Sequence, residues 1–174
     1  MPSYGQQPKL YYYTLLGLPQ LEEDIISYRS QQLKEEFEYI QRLSLRHAPP
    51  IKDLLASLIQ FLSNGQETGL TLTRENQVSR LIDYLRSCRC LLILDNAESI
   101  LRSGAYTGYY QTGYEDYGEL LRRIGEVSHQ SCLVITSREK PRDLVPLEGA
   151  TLPVRALQLS GLKQLDGQEI IKLN

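Results

Sequence analysis

Two short apolar runs in this chain each end in side chains able to do chemistry. Leu91-Leu92-Ile93-Leu94 runs straight into Asp95-Asn96-Ala97-Glu98, and Cys132-Leu133-Val134-Ile135 runs into Thr136-Ser137-Arg138. A run of that length reads as a strand buried on both faces, the habit of a central parallel strand. In open α/β sheets the C-terminal ends of such strands open into the ligand crevice. An aspartate placed there can hold Mg²⁺, directly or through water, beside the phosphates of a nucleotide. Arg138, on the neighbouring strand end, suits a phosphate, and its fixed charge is satisfied only while phosphate oxygens are present. Glu98 is the second acid within reach and could orient a water. The spacing leaves a plainer alternative open, with Asp95 or Asn96 forming an Asx turn or helix cap and Asp95 and Arg138 a salt-bridged pair on an ordinary sheet edge.

The elements that would position these residues can be read around them. Tyr117, Leu120, Leu121, Ile124 and Val127 form a helical stripe between the two runs, so strand, helix and strand make a βαβ unit with both polar ends on one edge. Upstream, Ile51, Leu54, Leu55, Leu58, Ile59 and Leu62 repeat at helical spacing, and Pro50 suits the first position of that helix. Val78, Leu81, Ile82 and Leu85 predict a second helix ending near Ser87, with Asn64 to Thr73 as the loop between. Phe37 to Leu45 reads as a strand interrupted by Gln41 and Arg42, and Leu152 to Leu159 as another. Leu21 to Glu36 has helical composition, Leu144 to Ala150 is a loop or short helix, and a helix is expected to begin after Gly161. Residues 1 to 20, including Tyr11-Tyr12-Tyr13, show no usable periodicity. Ser103 to Gly118 holds four glycines and five tyrosines, which predicts an exposed, mobile loop pinned to the surface by aromatics. Leu54, Leu58, Leu81, Leu92, Leu94, Leu121, Ile124 and Val134 are the expected core.

The 174 residues suffice for one domain with a real core. A formal net charge of -2 without a dense Lys/Arg block argues against broad electrostatic binding to nucleic acid. Neither a signal peptide nor a run approaching the ~18 apolar residues of a membrane span is visible, so a cytoplasmic protein without membrane contact is expected. Cys88, Cys90 and Cys132 lie in or beside apolar runs and read as small hydrophobes, since a Cys-x-Cys without further ligands is poor zinc geometry. His47 and His129 are isolated.

Leu91 to Glu98, followed after the tyrosine- and glycine-rich stretch by Ser131-Cys132-Leu133-Val134-Ile135-Thr136-Ser137-Arg138-Glu139-Lys140-Pro141, resembles the NB-ARC domain of signalling (STAND-type) P-loop ATPases. It is most similar to cyanobacterial members that carry WD40 repeats. The resemblance implies a three-layer α/β sandwich with a mostly parallel sheet, a P-loop NTPase-like fold left incomplete. In it Asp95 occupies the Walker B acid, the metal position. Thr136 and Arg138 occupy the phosphate-sensing, cofactor-binding strand end, and Glu98 takes the catalytic position. The ligands implied are Mg-ATP and Mg-ADP, and the partners are other copies of the chain or other signalling proteins. The organisation implied is a divergent segment over 1–30, a partial NB-ARC domain over 31–160, and the start of a truncated helical subdomain over 161–174.

The departures are as informative. The family's G-x-x-x-x-G-K-[ST] loop, whose backbone N–H groups and lysine cradle the phosphates, is absent, and Gly5 and Gly17 are the only glycines before residue 65. Asn96 stands where a second acid often follows the Walker B aspartate. The expectation is therefore a partial ADP/ATP-binding switch module with impaired nucleotide binding and no ATPase activity alone. The alternative is a degenerate, non-catalytic interaction or structural domain of a larger WD40-repeat protein.

Overall fold

The computed structural model describes residues 10–15, 36–104 and 108–159. Five parallel strands form one sheet: β1 Leu10–Leu15, β2 Tyr39–Ser44, β3 Cys90–Asp95, β4 Cys132–Ser137 and β5 Val154–Leu159, in the spatial order β2-β3-β4-β1-β5. Helix α1 spans Ile51–Leu62, α2 Arg74–Ser87 and α3 Glu115–Glu126, with short 3₁₀ turns at Ala97–Ile100 and Arg142–Leu147. The two apolar runs are adjacent parallel strands that end on the same edge, and α3 lies between them in sequence. This is an α/β fold built on a parallel sheet, as expected.

The helices begin and end where local chemistry dictates. Pro50 sits one residue earlier than expected, as the residue flanking α1, and its carbonyl accepts from Asp53 and Leu54 N–H. The Thr73 hydroxyl accepts from Asn76 N–H at the start of α2, satisfying a donor that the helix itself leaves unpaired. Alternation along β3 then sorts its side chains. Cys90, Leu92 and Leu94 join Leu133 and Ile135 of β4 and the apolar stripes of α1, α2 and α3 in one core, while Leu91 and Ile93 point to the opposite face and are buried there. Val134 is the exception among the expected core residues. It stands in register with Ile93, on the face away from that cluster, and is only half-buried.

Two regions differ from expectation. Leu10–Leu15, which has no readable alternation, is a strand hydrogen-bonded on both sides, between β4 and β5. The glycine- and tyrosine-rich stretch is not an exposed loop throughout. Tyr110 and Tyr117 are buried in the core, α3 starts at Glu115, and the Tyr117 and Tyr114 hydroxyls donate to Pro49 and Ala48 carbonyls at 2.8 and 2.7 Å. Arg102 N–H to Tyr109 O (2.7 Å) and Gln111 N–H to Ile100 O (2.9 Å) pin the stretch at its base. Two of its glycines mark close approach rather than slack: at Gly108 (φ +80°) a side chain would strike the Lys140 carbonyl, and at Gly118 it would lie 2.6 Å from the Asp143 carboxylate. Tyr106, the helix expected from Leu21 and the one expected after Gly161 lie outside the described residues.

Candidate functional site

The C-terminal ends of the strands form the site, and register decides which side chains meet there. Ser44 of β2 pairs with Asp95 of β3, Leu94 with Ile135 of β4, and Thr14 of β1 with Ser137, so four strands finish nearly flush. Asp95 is the last residue of β3, and its side chain is 7% exposed. A carboxylate so buried must be hydrogen-bonded or paired. Both of its oxygens are engaged. The Thr136 hydroxyl and the Asn96 backbone N–H donate to Oδ1, and the Arg42 guanidinium donates to Oδ2 at 2.5 Å. Asn96 N–H is shared with the Thr136 hydroxyl oxygen, 3.1 Å from each acceptor.

Asn96 itself adopts a left-handed backbone (φ 60°, ψ 44°), which asparagine tolerates better than most residues. That conformation turns the chain into the Ala97–Ile100 turn and swings Glu98 toward β4. Glu98 meets Arg138 there, with Nε–Oε1 at 3.5 Å and the Arg138 N–H donating to Oε2 at 3.4 Å. These are long contacts, and the Arg138 side chain is 65% exposed, so this pair is loose and open to solvent.

Of the residues singled out by sequence, Asp95 with Thr136 and Glu98 with Arg138 come together as two separate pairs. The alternative Asp95–Arg138 salt bridge is not how the acid is paired: its cation is Arg42. Nor does a side chain of Asp95 or Asn96 cap the turn that follows. Arg42 escapes a reading by sequence because a charged residue in mid-strand looks like an interruption. The available signal is its place two residues before the end of a strand beside β3.

The arrangement can be tested against the ligands that the family resemblance implies. A carboxylate offers about four lone-pair positions. Here three are used, and the oxygen that remains available carries a guanidinium against it. As arranged, these residues do not fit a divalent ion bound directly to Asp95. Among the described residues no group of three or more His, Cys, Asp or Glu side chains is placed to hold a metal. The exposed Arg138 guanidinium fits a phosphate group better, having donors and only a loose partner.

No protein-family model matches the chain. An uncharacterized WD repeat-containing protein from Nostoc sp. is 51% identical over 153 residues, 88% of this chain, and the chain spans only 12% of that relative's length. Among solved structures, the Aeropyrum pernix ORC2 protein in ADPNP-ADP complexes is similar with a TM-score of 0.58 at 16% identity, covering 94% of this chain and 44% of that one. The Aeropyrum pernix ORC1 protein in complex with DNA gives 0.55 at 15%, covering 97% and 43%. Drosophila ORC bound to GC-rich DNA and Cdc6 gives 0.54 at 12%, covering 88% and 50%. No helix among the described residues is long and apolar enough to cross a membrane. The chain has a P-loop ATPase-like α/β fold and is similar to one segment of a much larger WD repeat-containing protein.

Proposed function

We propose that this chain is a partial NB-ARC-type ADP/ATP signalling switch module whose own grip on nucleotide is weak. The observation that carries the reading is the flush edge of β3 and β4, where Asp95 and Thr136 are hydrogen-bonded and Arg138 reaches into solvent. An acid, a hydroxyl and an arginine on adjacent parallel strand ends are the parts with which this fold class senses a terminal phosphate. Arg138 would face the phosphate, Thr136 would reach it only by releasing Asp95, and Glu98 would hold Arg138 until a phosphate takes its place. Partners would be further copies of the chain or other signalling proteins, and the net charge of -2 argues against the DNA to which the ORC1 and Drosophila ORC neighbours are bound.

Weak binding follows from the missing loop. Removing one charge-assisted hydrogen bond from a buried phosphate site costs ~1.5–3 kcal/mol. Every ~1.4 kcal/mol is tenfold in affinity, so the absence of several takes a micromolar site toward the millimolar range. Titration of Mg-ADP by calorimetry should give a Kd weaker than roughly 100 μM, the range left when a few such hydrogen bonds are missing. No ATP hydrolysis is expected. Micromolar binding that disappears in Asp95→Ala and Arg138→Ala would overturn the weak-grip reading. Complete silence at millimolar Mg-ADP would favour the second reading, a non-catalytic interaction or structural domain, for which the engagement of Asp95 by Arg42 speaks.

A further inference from the structure

The acid at the end of β3 is served by a cation from within the chain. Arg42 lies on β2, in register with Ile93, and reaches along the strand ends to Oδ2 of Asp95 at 2.5 Å. Its side chain is 33% exposed, so the pair sits at the mouth of the edge, buried on the acid's side and open on the arginine's. Thr136 of β4 and the Asn96 N–H hold the other carboxylate oxygen. Leu45 N–H donates to the Asp95 carbonyl at 2.7 Å, fixing the main chain that carries both partners. One carboxylate thus ties together three strands, with its charge neutralised and its lone pairs nearly filled.

We propose that Arg42 is the resident cation of the Asp95 site, taking the oxygen that a divalent metal would coordinate. It closes the ends of β2, β3 and β4 without metal. The physical reason is competition. A guanidinium and a divalent ion both require the same carboxylate oxygen, and their like charges oppose joint occupancy. Metal therefore reaches Asp95 only when Arg42 leaves. The inference rests on this geometry and not on nucleotide binding, so it can fail while the switch reading stands, and the reverse.

The test uses Mn²⁺ and Mg²⁺ alone, without nucleotide, on the full chain. In wild type, 5 mM of either ion against EDTA at matched ionic strength should leave the melting temperature unchanged, and free Mn²⁺ counted by electron paramagnetic resonance should not fall. Arg42→Gln should gain a metal-dependent rise of about 3–6 °C, the scale expected for a ligand near ten times its Kd in a chain of this size. The double variant Arg42→Gln with Asp95→Asn should lose that response, and Arg42→Lys, which keeps the charge, should not acquire it. Arg42→Met, which keeps the aliphatic stem, serves if Arg42→Gln does not fold. Mn²⁺ bound by wild type and lost in Asp95→Asn would overturn the proposal. So would silence in both folded Arg42 variants, which would show that something other than Arg42 keeps metal away.

Discussion

Two arginine–carboxylate clasps in this molecule each add a hydroxyl donor to the guanidinium, one monodentate and buried at the acid, the other bidentate and exposed. At the sheet edge Arg42 and Thr136 hold Asp95, whose side chain is 7% exposed. On the outer side of α2, Arg80 engages both Glu67 oxygens, and the Tyr84 hydroxyl donates to Oε1 at 2.8 Å. Arg80 also lies over the Tyr84 ring, 4.8 Å from its centre. That clasp fastens the loop after α1 to α2, yet Glu67 and Arg80 are 33% and 43% exposed. The acid at the edge has exchanged water for protein partners, whereas Glu67 keeps water available if a partner is lost. Burial, not the number of hydrogen bonds, should therefore set what each clasp contributes.

The largest break is Asp95→Ala. It takes the carboxylate away from the Arg42 guanidinium and the Thr136 hydroxyl at a closed edge, and leaves the Asn96 N–H with only its bond to the Thr136 oxygen. Removing one partner of a buried pair costs several kcal/mol, and the partial exposure of Arg42 reduces this to ~2–3 kcal/mol. Urea unfolding should show the loss as a lower midpoint at constant slope. A change below experimental error would mean that the edge is no more committed than the surface clasp. Thr136→Val divides the effect further. It keeps the shape, removes the hydroxyl that Asp95 and Asn96 share, and leaves the Arg42 ion pair intact. It should cost ~1–2 kcal/mol in the same measurement, the range for an unsatisfied buried group.

The same contrast separates what can be read in advance from what cannot. β3 and β4 are legible because central parallel strands are continuous apolar runs, and their flush ends follow once both are read as strands of one βαβ unit. Asp95 beside Thr136 is legible for the same reason. Arg42 is not, because its partner is fixed by the register of β2 on β3, which no local pattern encodes. β1 is hidden likewise. Three tyrosines and a threonine between leucines carry no alternation, and its central place comes from pairing with β4 on one side and β5 on the other. In the stretch around Gly108 and Gly118, composition suggests slack where the glycines make room for the Lys140 carbonyl, the Tyr110 ring and the Asp143 carboxylate. Glycine content reports permitted backbone conformations, not whether a neighbour needs the space.

The smallest effect is expected at the surface clasp, and pH is the way to see it. Hydrogen bonds from Arg80, and then from Tyr84, hold the Glu67 carboxyl down at about 2, from an ordinary 4.5. A carboxyl lowered in the folded state contributes stability that is present above its unfolded value and is lost as pH falls through the folded one. Here the window runs from about pH 4.5 down to about 2. Glu67→Gln should melt slightly below wild type at pH 7, by less than either edge variant, and the gap should narrow as the pH is lowered into that window. Raising NaCl to ~1 M at pH 7, where the screening length falls to ~3 Å, should shrink the Glu67→Gln gap more than the Asp95→Ala gap, because the Glu67 carboxylate is open to water and ions and the Asp95 carboxylate is buried. Melting curves across pH and salt for the two variants decide the matter. A Glu67→Gln gap as large and as salt-resistant as that of Asp95→Ala would show that the tyrosine hydroxyl and the guanidinium seal the surface pair as effectively as burial seals the edge.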